Sequence, residues 1–306
     1  MTSRGLLTRL RSTLKRWADS PLPVPAILPV PPAPVKIGLA LGGGFARGVA
    51  HVGILKAFER ENIPIHCIAG ISAGAIVAAA YASGTEIEDI ARVGCAMRFN
   101  DVARWSICRL GLVGSERMAA FLKRLLRKTR FEEMAIPLGV LATDLSTGEP
   151  VLFRDAGDVI APIRASCSYP GLFQPLRYQD RWLVDGAMST EVPAVLARKM
   201  GATHVISVCL PMHAPGIVPQ NMLQVVNRCF QILQTRAEES WRSDSDLIIK
   251  PDVTSVQWDG FRSGREMIEA GEQAAMAAMP EIRKWLQPAK VATSPLRPLP
   301  TQQLAS

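Results

Sequence analysis

Apolar residues recur along this chain in short unbroken runs, set apart by longer stretches of mixed polarity. KIGLAL at 36–41, a run at 66–69, PLGVLAT at 137–143, HVISVCL at 204–210 and DLIIK at 246–250 read as strands. Shorter strands are expected at 150–153 and 181–184, the first after a Thr147–Gly148 turn. Between them the pattern predicts helices from a glycine loop to about Asn62, and at 73–83, 86–97, 115–128, 158–166, 192–200, 220–241 and 263–286. Continuous apolar strands are those buried on both faces, so the alternation predicts an α/β fold with a mostly parallel central sheet. One uncharged stretch, between Glu61 and Glu86, is long enough for a membrane span. It is rich in Ala, Gly and Ser and interrupted by Pro64, His66, Gly70 and Gly74. A buried strand, a tight turn and a buried helix explain it better.

The two ends break this pattern. Residues 1–20 set Leu6, Leu7, Leu10, Leu14 and Trp17 at helical spacing among five cations. They read as a basic amphipathic helix suited to an anionic membrane surface, a solvated tail or an organelle presequence. Residues 21–35 contain seven prolines and predict an extended linker. The folded part is therefore expected over 36–287, with a disordered tail over 288–306.

Composition then narrows the partners. With 48% hydrophobic and 20% charged residues in 306, the chain can bury a large core. Of the formal charge of +8, residues 1–20 hold +4 and 288–306 hold +2, which leaves +2 for 36–287. That near-neutral middle, without basic residues interleaved with aromatics, argues against nucleic acid. Six cysteines form no C-x-x-C pair and no His–Cys ligand spacing, against a disulfide framework or a zinc site. A reduced cytoplasm is the expected compartment, with residues 1–20 offering peripheral attachment to the inner membrane face.

Three motifs carry candidate chemistry. Gly42-Gly43-Gly44-Phe45-Ala46-Arg47-Gly48 follows a strand and opens a helix. Arg47 stands where a dinucleotide loop needs a small residue, and the Gly-Lys-Ser/Thr of a P-loop is missing. An oxyanion hole or a structural turn remains. Gly70-Ile71-Ser72-Ala73-Gly74 is a nucleophile-elbow pattern, in which small neighbours permit a strained turn that exposes the serine. Gly44 and Ser72 lie 28 residues apart, about one βαβ unit, so a right-handed crossover brings both to one edge of the sheet. Asp185-Gly186-Ala187 follows another strand and reads either as a base for the serine or as a turn aspartate.

In this order and combination the motifs resemble the patatin-like phospholipases, specifically their compact bacterial members. The likeness extends to Ala142-Thr143-Asp144-Leu145 with Thr147-Gly148, and to Arg164-Ala165-Ser166 with Pro170, Phe173 and Pro175. It covers about 36–287 and leaves the ends outside. It implies a three-layer α/β/α fold and a Ser–Asp dyad, with Ser72 as nucleophile and Asp185 as general base. Gly42, Gly43 and Gly44 would form the oxyanion loop, with Arg47, Gly70, Gly74 and Gly186 in support. The implied activity is hydrolysis of lipid carboxylic esters without metal or cofactor. A transacylase on the same site and a lipid-binding module with little turnover are the alternatives.

Histidine is the competing base. His213, in the loop after the strand at 204–210, is the better-placed rival; His204 and His51 read as packed residues. Residues 98–131 mix Phe99, Trp105, Leu110, Leu112 and Phe121 with Arg98, Arg104, Arg109, Lys123 and Arg124. They read as a flap that admits acyl chains while its cations face lipid phosphates, or equally as a packed helix with a solvated basic face.

Overall fold

A computed structural model describes residues 34–210, 219–220, 222–256 and 260–287. Apart from Pro34 these lie in one compact unit, Val35–Ala292. Residues 1–20, most of 21–35, His213 and the tail 288–306 fall outside the described residues.

The expected apolar runs form the strands. Their ranges are β1 Ile37–Leu41, β2 Ile65–Gly70, β5 Leu138–Asp144, β6 Pro150–Phe153, β8 Arg181–Asp185, β9 His204–Val208 and β10 Leu247–Ile249. Two stretches with no expected strand also extend: Arg104–Cys108 and Gly111–Gly114 (β3, β4) form a separate hairpin, and Leu176–Tyr178 (β7) pairs with β8. The main sheet runs β10-β9-β1-β2-β5-β8-β7, with β6 also paired to β5. From β10 to β5 every pairing is parallel, and β6, β7 and β8 add antiparallel neighbours.

The helices are α1 Ala50–Arg60, entered through a 3₁₀ turn at Phe45–Val49, α2 Ala73–Ala82, α3 Ile87–Ala96, α4 Phe99–Val102 and α5 Glu116–Leu125. They continue with α6 Ile160–Ser166, α7 Ala194–Lys199, α8 Met222–Arg236, α9 Glu238–Arg242 and α10 Gly264–Leu286. The expected helix at 220–241 is thus two, broken at Ala237, whose N–H still reaches the carbonyls of Leu233 and Gln234.

Side-chain alternation along the strands builds the layers. Ile37, Leu39 and Leu41 of β1 and Ile206 and Val208 of β9 point to one core, with α1, α2 and α10 residues. Ala40, Cys67, Ala69 and Val205 point to the other, against Leu196 and Ala197 of α7 and Trp241 of α9. This is a three-layer α/β/α sandwich. On its larger side α10 lies close on α1. A Cβ on Gly53 would overlap the Ile268 carbonyl, and one on Gly271 the Ala50 carbonyl, so each helix offers a notch to the other's backbone. Arg60–Glu272 and Arg283–Glu61 ion pairs flank that contact.

Among the described residues no helix is long and apolar enough to cross a membrane. The uncharged stretch after Glu61 forms β2 and α2, and α2 is buried along most of its length.

Candidate active site

Parallel pairing of β1 with β2 opens the C-terminal ends of both strands on one edge of the sheet. The glycine loop leaves β1 there, and the Ser72 turn leaves β2 beside it. Ser72 has φ 53° and ψ −125°, a conformation that costs a non-glycine residue about 1–3 kcal/mol and needs enforcement by its surroundings. Much of that enforcement is steric. A Cβ on Gly74 would overlap the carbonyls of Leu41 and Gly42, so α2 can start this close to β1 on glycine alone. Hydrogen bonds add the rest. The Ser72 N–H donates to Ser166 Oγ at 2.8 Å, and Ser166 in turn donates to the Leu141 carbonyl at 2.6 Å.

Asp185 reaches the same point by a different route. Val140 of β5 pairs with both Gly70 and Phe153, while Ala142 pairs with both Asp185 and Val151. A strand residue has two edges, so β6 holds one edge of β5 while β2 and β8 share the other. These two run in opposite directions and meet head to head. Their last residues are registered two positions apart on β5, about 7 Å of strand. Ser72 and Asp185 therefore face each other across a gap in the ladder, and Ser72 Oγ donates to Asp185 Oδ2 at 2.7 Å. The other carboxylate oxygen accepts the Ala187 N–H at 2.9 Å, which fixes its rotamer.

Burial sets the electrostatics. Asp185 is 1% exposed, and loss of water pushes its pKa from 3.8 up to about 7, against the opposing pull of the Ala187 and Ser72 hydrogen bonds. Burial also pushes up the Cys167 thiol and the Tyr169 phenol, with the nearby Asp185 charge adding to both. His51 is driven the other way, to about 4, by complete burial. As a neutral ring it donates from Nε2 to the Gly42 carbonyl at 2.9 Å. It braces the loop and does not touch Ser72.

The loop's amides divide by task. Gly42 N–H donates to the Val208 carbonyl at 3.0 Å and anchors the loop to β9. Among the described residues the amides of Gly43 and Gly44 donate to no protein acceptor, and both residues border a narrow cavity of about 60 Å³. Ser72, Asp185, Phe45 and Arg47 border it too. A Cβ on Gly43 would sit 3.5 Å from the Cβ of Ser72, which places this residue against the serine. Arg47 is buried and donates from Nε to the Val256 carbonyl at 2.7 Å, tying the loop to the segment before α10. Gly42, Gly70, Gly74 and Gly186 lie behind the cavity as tight-packing positions; a Cβ on Gly186 would overlap the Leu141 carbonyl.

The wall opposite the loop comes from α8. Gln224, Val226, Asn227 and Gln231 border the cavity, and Asn227 accepts the Tyr169 hydroxyl at 2.7 Å. Gln234 holds α8 down by donating to the Ala187 carbonyl at 3.1 Å. The sequence pattern assigns no role to Ser166, Tyr169, Asn227 or Gln234, because each has a hydrogen-bond partner more than 40 positions away. The 98–131 segment is a short helix, a hairpin and α5. Phe99 sits in an aromatic cluster with Phe45, Trp105 and Phe173, at ring separations of 6.2–6.3 Å. Among the described residues no group of three His, Cys, Asp or Glu side chains is placed to hold a metal ion.

A family model for patatin-like phospholipases matches residues 39–198, from β1 through the elbow and Asp185 into α7. The chain belongs to the patatin-like phospholipase family. An NTE family protein of Mycobacterium tuberculosis is 32% identical over 193 residues, covering 62% of this chain and 53% of that one. A lysophospholipase, NTE1, of Mycosarcoma maydis is 31% identical over 57% of this chain and 10% of its own. This patatin-like chain thus spans about half the length of the mycobacterial relative. In three dimensions VipD of Legionella pneumophila superposes with a TM-score of 0.57 at 14% identity, over 81% of this chain and 67% of its own. That likeness concerns the fold.

Proposed function

We propose that this patatin-like chain is a serine acyl hydrolase of lipid carboxylic esters. The observation that carries the reading is the 2.7 Å contact between a strained serine and a dehydrated carboxylate. A base is most effective with a pKa near the working pH, and burial raises Asp185 toward that range. Ser72 Oγ attacks the acyl carbonyl carbon as its proton passes to Asp185 Oδ2. The amides of Gly43 and Gly44 hold the oxyanion, while Gly42 positions them. Collapse of the tetrahedral intermediate breaks the ester bond, and the leaving alcohol takes the proton from Asp185. Water then attacks the acyl-serine, giving its proton to Asp185, and the serine regains that proton as the acid leaves. The lipid class of the ester rests on the family and on the relative described as a lysophospholipase.

Labelling with a fluorophosphonate tests the nucleophile: wild type reacts and Ser72→Ala does not. Hydrolysis of a p-nitrophenyl ester tests the base. Asp185→Asn lowers turnover by about 10²–10⁴-fold and His213→Ala retains it; the reverse pattern would replace the dyad with a Ser–His pair. For the basic segment 1–20, sedimentation with anionic liposomes compares the full chain with a protein that begins at Lys36. Equal binding would remove that segment from membrane attachment.

A further inference from the structure

Another cavity touches Ser72, and no residue of α8 borders it. It has a volume of about 50 Å³ and borders Ser72, Ala73, Ile76, Met97, Val102 and Phe173. Next to it lies a second of about 40 Å³, sharing Phe45, Ala73, Ile76 and Met97 with the first and reaching Val77, Val93 and Leu125. Every side chain around this second void is apolar. Beyond it a recess of about 240 Å³ shares Val93, Met97, Phe121 and Leu125, and carries Asp101 and Arg124 among its lining residues. The three adjoin in sequence from the serine, along α2, between α3 and α5, toward charged side chains. Protein interiors are normally packed to crystal-like density, and apolar voids reduce stability without a ligand to occupy them. Of the side chains that divide the voids, Met97 is half-buried and unbranched, so it can shift aside at low cost.

The opposite side of Ser72 is mixed in character. There the side-chain amides of Gln224, Asn227 and Gln231 and the Tyr169 hydroxyl border the cavity together with Phe45, Pro170, Leu172 and Val226. An ester placed with its carbonyl at Ser72 thus meets a run that becomes wholly apolar on one side, and on the other an apolar wall that also carries hydrogen-bonding groups. Resting on the hydrolase reading above, we propose that the acyl chain of the substrate runs through the voids along α2 toward α3 and α5. The alcohol part faces α8. The site is one for long unbranched acyl chains, and the depth of the run sets chain length.

Two of the shared residues separate an early block from a late one. Ile76 borders the first and second voids, and Val93 borders the second and the recess beyond. A plug at Ile76 acts early and a plug at Val93 acts late. The test is the ratio of kcat/KM for p-nitrophenyl laurate and palmitate to that for butyrate. Ile76→Phe lowers both ratios at least about tenfold, the scale on which a filled pocket rejects extra methylenes. Val93→Phe lowers the palmitate ratio by a similar factor and leaves the laurate ratio within about twofold. Unchanged ratios in both variants, or a cut at the same chain length in both, overturn the proposal. A second measurement needs no turnover. Laurate raises the thermal midpoint of the Ser72→Ala protein, and adding Ile76→Phe removes that rise; a rise that survives overturns the site. A wild type that binds laurate in this way but hydrolyses no ester would keep the acyl site and refute the hydrolase reading instead.

Discussion

Ser72 follows the end of β2 and Asp185 ends β8, two strands on the same edge of β5, yet the fold prepares them by different means. The serine is held by backbone strain, with glycines at 70 and 74 where neighbouring backbone leaves no room for a side chain. The aspartate sits on ordinary extended backbone, φ −50° and ψ 135°, and is altered by dehydration instead. The difference is instructive. The strained turn is written chiefly in small residues next to the serine, braced by Ser166, whereas the surroundings of Asp185, among them Cys167, Tyr169 and α8, arrive from elsewhere in the chain.

Separating the two devices should yield effects of decreasing size. Asp185→Asn removes the proposed base and is expected to lower kcat/KM by about 10²–10⁴-fold, within the range for a general base. It should also reveal the cost of that base. A carboxyl raised from 3.8 to about 7 binds a proton more tightly when folded, so its contribution to stability is fullest below about pH 4 and is lost as pH rises toward 7. The thermal midpoint of Asp185→Asn should therefore exceed that of wild type at pH 8, and the gap should narrow at pH 5. No gap at pH 8 would mean that the dehydration of Asp185 is compensated elsewhere.

Gly74→Ala tests strain in place of charge. The new methyl collides with the Leu41 and Gly42 carbonyls, so overpacking of about 1–3 kcal/mol is expected in denaturant unfolding. A displacement of the elbow by about 1 Å would add a rate loss near 10²-fold. Ser166→Ala is milder. It strands the Ser72 N–H and the Leu141 carbonyl in the interior, at about 1–3 kcal/mol for each unpaired group at most. Its pH profile should stay that of wild type, with kcat/KM falling about tenfold per unit below pH 7. The smallest effect belongs to His51→Gln, which can still donate to the Gly42 carbonyl. A rate change of a few-fold with no shift of the pH midpoint is expected; a shifted midpoint would bring histidine back into the proton transfer.

Much of the molecule is legible in the order of its amino acids. The parallel strands, the glycine loop and the elbow stand in the chain as local patterns, since apolar runs and small residues report what a segment itself must do. The hairpin at 104–114 is not legible, because Arg104-Trp105-Ser106 carries no clean alternation, and its partners Phe99 and Phe173 lie on other elements. Asp185 is legible as a residue at a strand end, and the role proposed for it comes from the order of three motifs. Its pairing with Ser72 depends on the antiparallel entry of β8 along the edge that β2 leaves free, which no local pattern encodes.

The division follows from range. Local composition determined the parallel strands, most of the helices around them, the strained serine turn and the concentration of positive charge in the ends of the chain, because each depends mainly on neighbours in sequence. Tertiary packing decided which aspartate meets the serine, how far its pKa rises, which loop amides remain available and where a second cavity adjoins Ser72. Those properties arise from distant segments excluding water, or failing to fill space, around a single point.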